Sequence, residues 1–130
     1  MKVSSVLIIL LALSAMSCQQ EKDDVTKTDG GVCILSISGG SDELCIDFPQ
    51  SISANAASDL CDKEHADRGY NGISYTSGHA NKCSNTASLT VVGTCTLANG
   101  IVYRLGSTGW NAATGEVECT TNIQGTWAAP

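Results

Sequence analysis

VCILSISGGSDELCIDF, residues Val32–Phe48, is the stretch whose reading sets the fold. Apolar and β-branched side chains concentrate in VCILSIS and again in LCIDF, while Gly39 and Gly40 break the run between them. The pattern predicts two strands, each carrying one cysteine. Further along, SLTVVGTC (Ser88–Cys95) and IVYRL (Ile101–Leu105) flank the turn signal Asn99–Gly100 and read in the same way. Between and after these strands lie two Ala-rich stretches, ANAASDLC at Ala54–Cys61 and NAATGEVEC at Asn111–Cys119. Each reads as a short helix carrying a cysteine. Ser51 or Ser53 can cap the first, with Ala54, Ala57 and Cys61 on one face, and Asn111 can cap the second, which Gly115 weakens by about 1 kcal/mol.

The cysteine spacings suggest a repeat. Cys33 to Cys45 and Cys83 to Cys95 are both twelve positions, and a third cysteine follows each pair, Cys61 and Cys119. The second interval is longer by eight residues, which the strand Ile101–Leu105 would occupy as an insertion. Two sets of three predict a degenerate two-fold repeat. An odd set cannot pair fully within itself, so at least one bridge must join the sets. Six cysteines allow 15 pairings. The one that respects the repeat and ties each helix to its own strand is Cys45 with Cys61, Cys95 with Cys119, and Cys33 with Cys83.

The expected fold class is α+β, a small disulfide-braced domain of two degenerate repeats with short helices on a mainly antiparallel sheet. It occupies residues 32–130, the length of one domain. Gly, Ala, Ser and Thr dominate it, and the whole chain has one Phe and two Trp, so the apolar core must be modest and need covalent help.

The N-terminus supplies the context for those bridges. Lys2, the apolar run Val6–Leu13 and the small residues Ala15 and Ser17 read as an export signal over residues 1–17, too short to remain as a spanning helix. The segment resembles bacterial lipoprotein signal peptides, in which the cysteine after the cut is lipidated; that residue is Cys18. Ser17 fits the pattern, whereas Ala15 and Met16 depart from its usual Leu and small residue, as in the relaxed boxes of spirochaetes and Bacteroidetes. The bland alternative is an ordinary signal peptidase site with Cys18 left as a free thiol. Parity favours lipidation, because seven cysteines leave one over and an exposed thiol is a liability in an oxidising compartment. Residues 18–31 then form a lipidated cysteine and a polar tether with Val25 as its only apolar side chain. Lys22, Asp23 and Asp24 look like the surface-export signal of some Bacteroidetes lipoproteins, but short acidic tracts are common in linkers and the favoured reading is a solvated spacer. The expected location is the cell envelope, at the outer membrane or cell surface.

The domain resembles small cysteine-rich lipoproteins of uncharacterised function from spirochaetes and related bacteria. The residues that carry the likeness are Gly93, Thr94 and Cys95, then Ala112, Ala113 and Cys119, then Gly125, Thr126 and Trp127. It implies a periplasmic or surface lipoprotein, some of which bind host matrix or plasma proteins, and it transfers no catalytic residue.

Chemistry in the sequence is sparse. Cys61 with His65 and His79 with Cys83 have spacings that could complete a zinc site. The oxidising compartment and the even cysteine count favour disulfides with no metal, and no cofactor is expected. Hydrolase and phosphate-loop signatures are missing, and the acid pairs Asp42 with Glu43 and Glu116 with Glu118 read as solvated faces. The net charge of −6, with only Lys2 lost if residues 1–17 are removed, argues against nucleic acid as a partner. Tyr103 and Trp127 are expected in the core, while Tyr70 and Trp110, flanked by Gly and Asn, are the candidates for an exposed contact surface. The expectation is a non-enzymatic binding protein held to the membrane by lipid, with an unknown protein ligand, possible adhesion to host matrix or plasma proteins, and inhibition of a cationic hydrolase such as lysozyme as the alternative.

Overall fold

In the first hairpin, strands β1 (Gly31–Ser36) and β2 (Asp42–Phe48) pair antiparallel with Cys33 opposite Ile46, Ile34 opposite Cys45 and Leu35 opposite Leu44. Residues opposite one another share a face of the sheet, and successive residues alternate between faces. Cys33, Leu35, Leu44, Ile46 and Phe48 therefore point one way, and Val32, Ile34 and Cys45 the other. The computed structural model describes residues 29–37 and 40–130, so the signal, Cys18 and most of the tether lie outside the described residues.

The elements that follow are α1 (Ala54–Arg68), β3 (Gly72–Ser77), α2 (Cys83–Thr86), β4 (Val91–Thr96), β5 (Val102–Gly106), α3 (Ala112–Val117) continued by a π-helical segment Glu118–Ile123, and β6 (Thr126–Ala128). The strands form one antiparallel sheet in the order β3-β1-β2-β5-β4-β6. The fold is thus α+β, as its sequence pattern implies.

The helices end where their chemistry dictates. Ser53 Oγ accepts from the Ala56 N–H, and Gly69, in the left-handed region at φ 68°, closes α1 by donating its N–H to the His65 carbonyl. His65 and Arg68 lie in the last turn, where the helix dipole favours positive charge. Asn111 caps α3 by accepting from Thr114 N–H. Ala57 and Cys61, one turn apart, are the buried residues of α1. Their small size lets the helix lie close on the face formed by Leu35, Leu44, Ile46 and Phe48.

All six domain cysteines are bonded, but two of the three expected pairings are exchanged. Cys95–Cys119 is present; Cys33 joins Cys61 and Cys45 joins Cys83, with Cα separations of 5.4, 5.7 and 5.8 Å respectively. The reason is strand phase. Cys45 lies on the face away from α1, where α2 and its flanking loop deliver Cys83 beside Val32, Ile34, Ala87 and Leu89. Cys33 lies on the face that α1 covers, so Cys33 and not Cys45 meets Cys61.

A two-fold repeat in the expected register is not shown. Cys33 sits within β1, whereas its expected counterpart Cys83 opens the short helix α2. Nor is Ile101–Leu105 an insertion, since β5 is the sheet neighbour of both β2 and β4. What recurs is the path of the chain: a hairpin, a helix, and a strand returning outside the first, traced by β1-β2-α1-β3 and by β4-β5-α3-β6. The register aligns Tyr75, Cys33, Ile46, Tyr103, Cys95 and Trp127 in one row across the helix face. Each cysteine of that row is bonded to the helical segment above it.

The last strand is fixed by complementary bulk. Cys95 lies opposite Trp127. A Cβ at Gly93 or Gly115 would overlap the Trp127 indole, and one at Gly125 would overlap Cys95 Sγ. Gly93 of β4 makes room for the indole, and Gly125, just before β6, makes room for Cys95 Sγ. Gly115, a poor helix former, is retained because α3 passes over the indole.

Two ion pairs cross from the first path to the second. On the face away from α1, Asp47 is buried and accepts from Arg104 Nε at 2.9 Å and from the Cys83 N–H at 2.7 Å. On the helix face, Arg68 of α1 reaches Glu118 at 2.6 Å.

Peptide mapping of the unreduced protein should return Cys33–Cys61, Cys45–Cys83 and Cys95–Cys119; a Cys45–Cys61 peptide would contradict the strand phase. Replacing Cys45 and Cys83 together by Ala should cost about 4 kcal/mol in the chain-entropy treatment of a loop of this length, read as a lowered denaturant midpoint.

Candidate functional site

The zinc constellation is taken apart by the fold. Cys61 and Cys83 are bonded to different partners on opposite faces of the sheet, so neither offers a thiolate and the two cannot share one ion. Among the described residues no group of three or more His, Cys, Asp or Glu is placed to hold a metal.

Tyr70 and Trp110 are less exposed than their flanking residues suggest. Both are half-buried and pack against the main core, as does Trp127, while Tyr103 lies within it. Tyr70 directly follows the left-handed cap Gly69, a position from which an apolar side chain commonly turns back onto the end of its helix. Burial, and then the charge of Glu43, push the Tyr70 hydroxyl well above its ordinary pKa. Glu43 is itself raised by burial, and its carboxylate lies so close to the Gly109 backbone that a Cβ there would overlap it.

Near Tyr70 the helix face carries a connected polar network. Arg68 donates from Nε to Glu64 and from Nη1 to Glu118, both at 2.6 Å. Glu64 also accepts from the Tyr103 hydroxyl at 3.0 Å, and Glu118 from Asn122 Nδ2 at 2.6 Å. Burial opposes the Arg68 charge, but the hydrogen bonds to both carboxylates outweigh it and raise its pKa. Burial would likewise push Glu118 up, yet the bonds from Asn122 and Arg68 hold it below its ordinary value. Burial first, then the Glu64 carboxylate, raises Tyr103 far above the usual phenol range. Each carboxylate oxygen in the network has its own donor. These bonds join α1 to the π-helical segment and to β5.

The Glu64–Arg68 pair was available from its spacing of four, whereas the Arg68–Glu118 contact spans fifty positions and has no local signal. The acid pairs read as solvated faces divide. Asp42 accepts from Ser36 Oγ and the Ser88 N–H, and Glu118 is in the network, while Glu116 is exposed. On the other face a shallow hollow of about 490 Å³ is lined by Ile34, Ser36, Asp42, Ile73, Ser74 and Thr86 among others. Its one carboxylate is already engaged by Ser36 and Ser88.

Charge is distributed unevenly. Lys63 pairs with Asp67, Arg68 with two glutamates and Arg104 with Asp47. Asp59 and Asp62, one turn apart on α1, and Glu116 on α3 are exposed and have no ion pair among the described residues. The helix layer therefore presents unbalanced negative charge.

No family model matches the chain, and no curated protein or solved structure is significantly similar to it. The structure thus defines a class, an antiparallel α+β domain with three disulfides, and the case for function rests on its own residues.

Replacing Arg68 by Met strands Glu64 and Glu118 without their shared cation, a loss expected near 3 kcal/mol for a largely buried pair. Glu118, depressed in the folded state, stabilises the fold above the ordinary carboxylate range, and that contribution is lost as pH falls through its lowered value. Denaturant midpoints measured on acidification should therefore fall through this range in the parent, and the slope should be shallower in Arg68→Met.

Proposed function

We propose that this chain is a lipid-anchored cell-envelope protein whose braced domain binds a protein partner without catalysis, with adhesion to host matrix or plasma proteins as the leading role. One observation carries the reading. The three bridges use all six cysteines of the domain, so of the seven in the sequence Cys18, directly after the proposed export signal, is the one outside them. A lipid on that sulfur removes the reactive thiol and supplies the anchor. The non-catalytic part draws on Glu64 and Glu118 being committed to Arg68, Tyr103 and Asn122 within the domain, where they hold the helix layer together.

A second reading, inhibition of a cationic hydrolase such as lysozyme, draws on the unpaired acids Asp59, Asp62 and Glu116. Such charges steer a basic partner and make binding sensitive to salt.

Radiolabelled palmitate fed to a lipoprotein-processing bacterium expressing the full chain should label the parent and leave Cys18→Ser unlabelled. Equal labelling of both would remove the anchor. For the partner, immobilised full chain is offered lysozyme and matrix proteins over a range of salt. Capture of matrix proteins that is lost on reduction supports the adhesive role. Capture of lysozyme that weakens by about tenfold or more with added salt, and in the triple variant Asp59→Asn, Asp62→Asn, Glu116→Gln, supports the inhibitor instead.

A further inference from the structure

The two edges of the sheet are not alike. β6 is three residues long, whereas β3 runs for six, Gly72–Ser77, paired with β1 in unbroken register. Natural edge strands are normally blunted by charge, proline, a bulge or shortness. GISYTS has none of these. Its exposed side includes Ile73, one of three large apolar side chains open to solvent among the described residues.

Hydrogen-bond phase identifies which backbone groups face outward. Gly78 N–H donates to the Gly30 carbonyl and Asn71 N–H to that of Ser36, so even-numbered residues of β1 turn their polar groups toward β3. Ile37 N–H donates to Ser41, placing odd-numbered residues toward β2. With the register Cys33 opposite Tyr75, the residues of β3 that bond β1 are Gly72, Ser74 and Thr76. Ile73, Tyr75 and Ser77 then direct their backbone groups away from the sheet. Asn81 Nδ2 already occupies the Ser77 carbonyl at 2.8 Å, which leaves Ile73 and Tyr75 as the open pair among the described residues.

We propose that this edge pairs with the same strand of a second copy of the chain, antiparallel about a two-fold axis at Ser74. In that register Ile73 faces Tyr75 of the second copy and the reverse, giving two hydrogen-bonded pairs, and Ser74 faces itself. Side-chain phase agrees, because residues two apart lie on one face. Ile73 loses its exposure against a tyrosine held in place, whose hydroxyl donates to the Gly30 carbonyl at 2.9 Å and whose ring stands edge-on to Phe48. The alternative two-fold at Tyr75 would need the Ser77 carbonyl, which Asn81 holds. Charge also favours self-association here. The chain is acidic at −6, and an uncharged strand is where two copies meet with least repulsion.

The register makes a sharp test. Ser74 and its counterpart form a non-hydrogen-bonded antiparallel pair, with Cα atoms about 4.5 Å apart, within the range a disulfide spans. In the full chain exported to an oxidising compartment, Ser74→Cys should double the apparent mass on a non-reducing gel, with the parent as control for Cys18. Thr76→Cys, which faces Gly72 in this register, should not. Adding Ile73→Lys to Ser74→Cys should abolish the cross-link by charging the edge. Independently, sedimentation of the parent should shift toward dimer as concentration rises, while Ile73→Lys stays monomeric. The proposal is overturned if Thr76→Cys cross-links as readily as Ser74→Cys, if Ile73→Lys leaves the cross-link intact, or if Ser74→Cys and the parent both remain monomeric with the three native bridges in place, as they would with the edge left free or covered by the N-terminal segment.

Discussion

Cys33 and Cys45 sit on neighbouring strands one position out of phase, and that offset organises the domain. Because Cys33 lies opposite Ile46 and Cys45 opposite Ile34, their sulfurs leave the hairpin in opposite directions. One draws α1 onto the apolar face, and the other draws the α2 segment onto the reverse. A sheet with one phenylalanine in its core could not hold two covering layers by apolar burial alone. The bridges restrict the unfolded chain and so lower the burial each layer must contribute.

The same two faces are tied again by polar contacts. Arg68 with Glu118 above the sheet and Asp47 with Arg104 below it both run from the first chain path to the second, where the β2–β5 ladder already joins them. Partly buried pairs of this kind are weak evidence of net stability, since desolvation offsets much of the attraction. Their geometry is informative in another way. A charged pair that must find its partner across the boundary disfavours any packing in which the two hairpins slide or rotate relative to one another.

Much of this was legible in the sequence. The strands around Cys33, Cys45 and Cys95, the caps at Ser53 and Asn111, and the α+β class follow from local patterns that the packing does not override. The pairing was also legible, though by strand phase and not by spacing. In LCIDF, Cys45 alternates with Leu44, Ile46 and Phe48 and shares its face with Asp47, so it lies away from the face a helix would cover. Spacing misled because α2 has no counterpart in the second path, and a cysteine in such an unmatched element shifts any alignment of sets. Tyr70 and Trp110 looked exposed from polar neighbours, but in a domain with few large side chains nearly every aromatic is recruited to the core. Arg68 with Glu118 had no signal at all, since a contact spanning fifty positions is set only once the helices have docked.

The glycines beside Trp127 bear on how so short a strand as β6 can have a unique position. Three residues provide too few ladder bonds to resist slippage, yet the indole sits in a slot bounded by Gly93 and Gly115, and Cys95 Sγ in one opened by Gly125. A shift of one residue would turn the indole to the other side of the sheet, and a shift of two would carry it past its slot. The strand is thus registered as a key is in a lock, by the profile of its teeth and not by its length. Over evolutionary change, bulk at this seam can move from one strand to the other only in matched steps, so the glycines and their facing side chains should vary as pairs or hold still together.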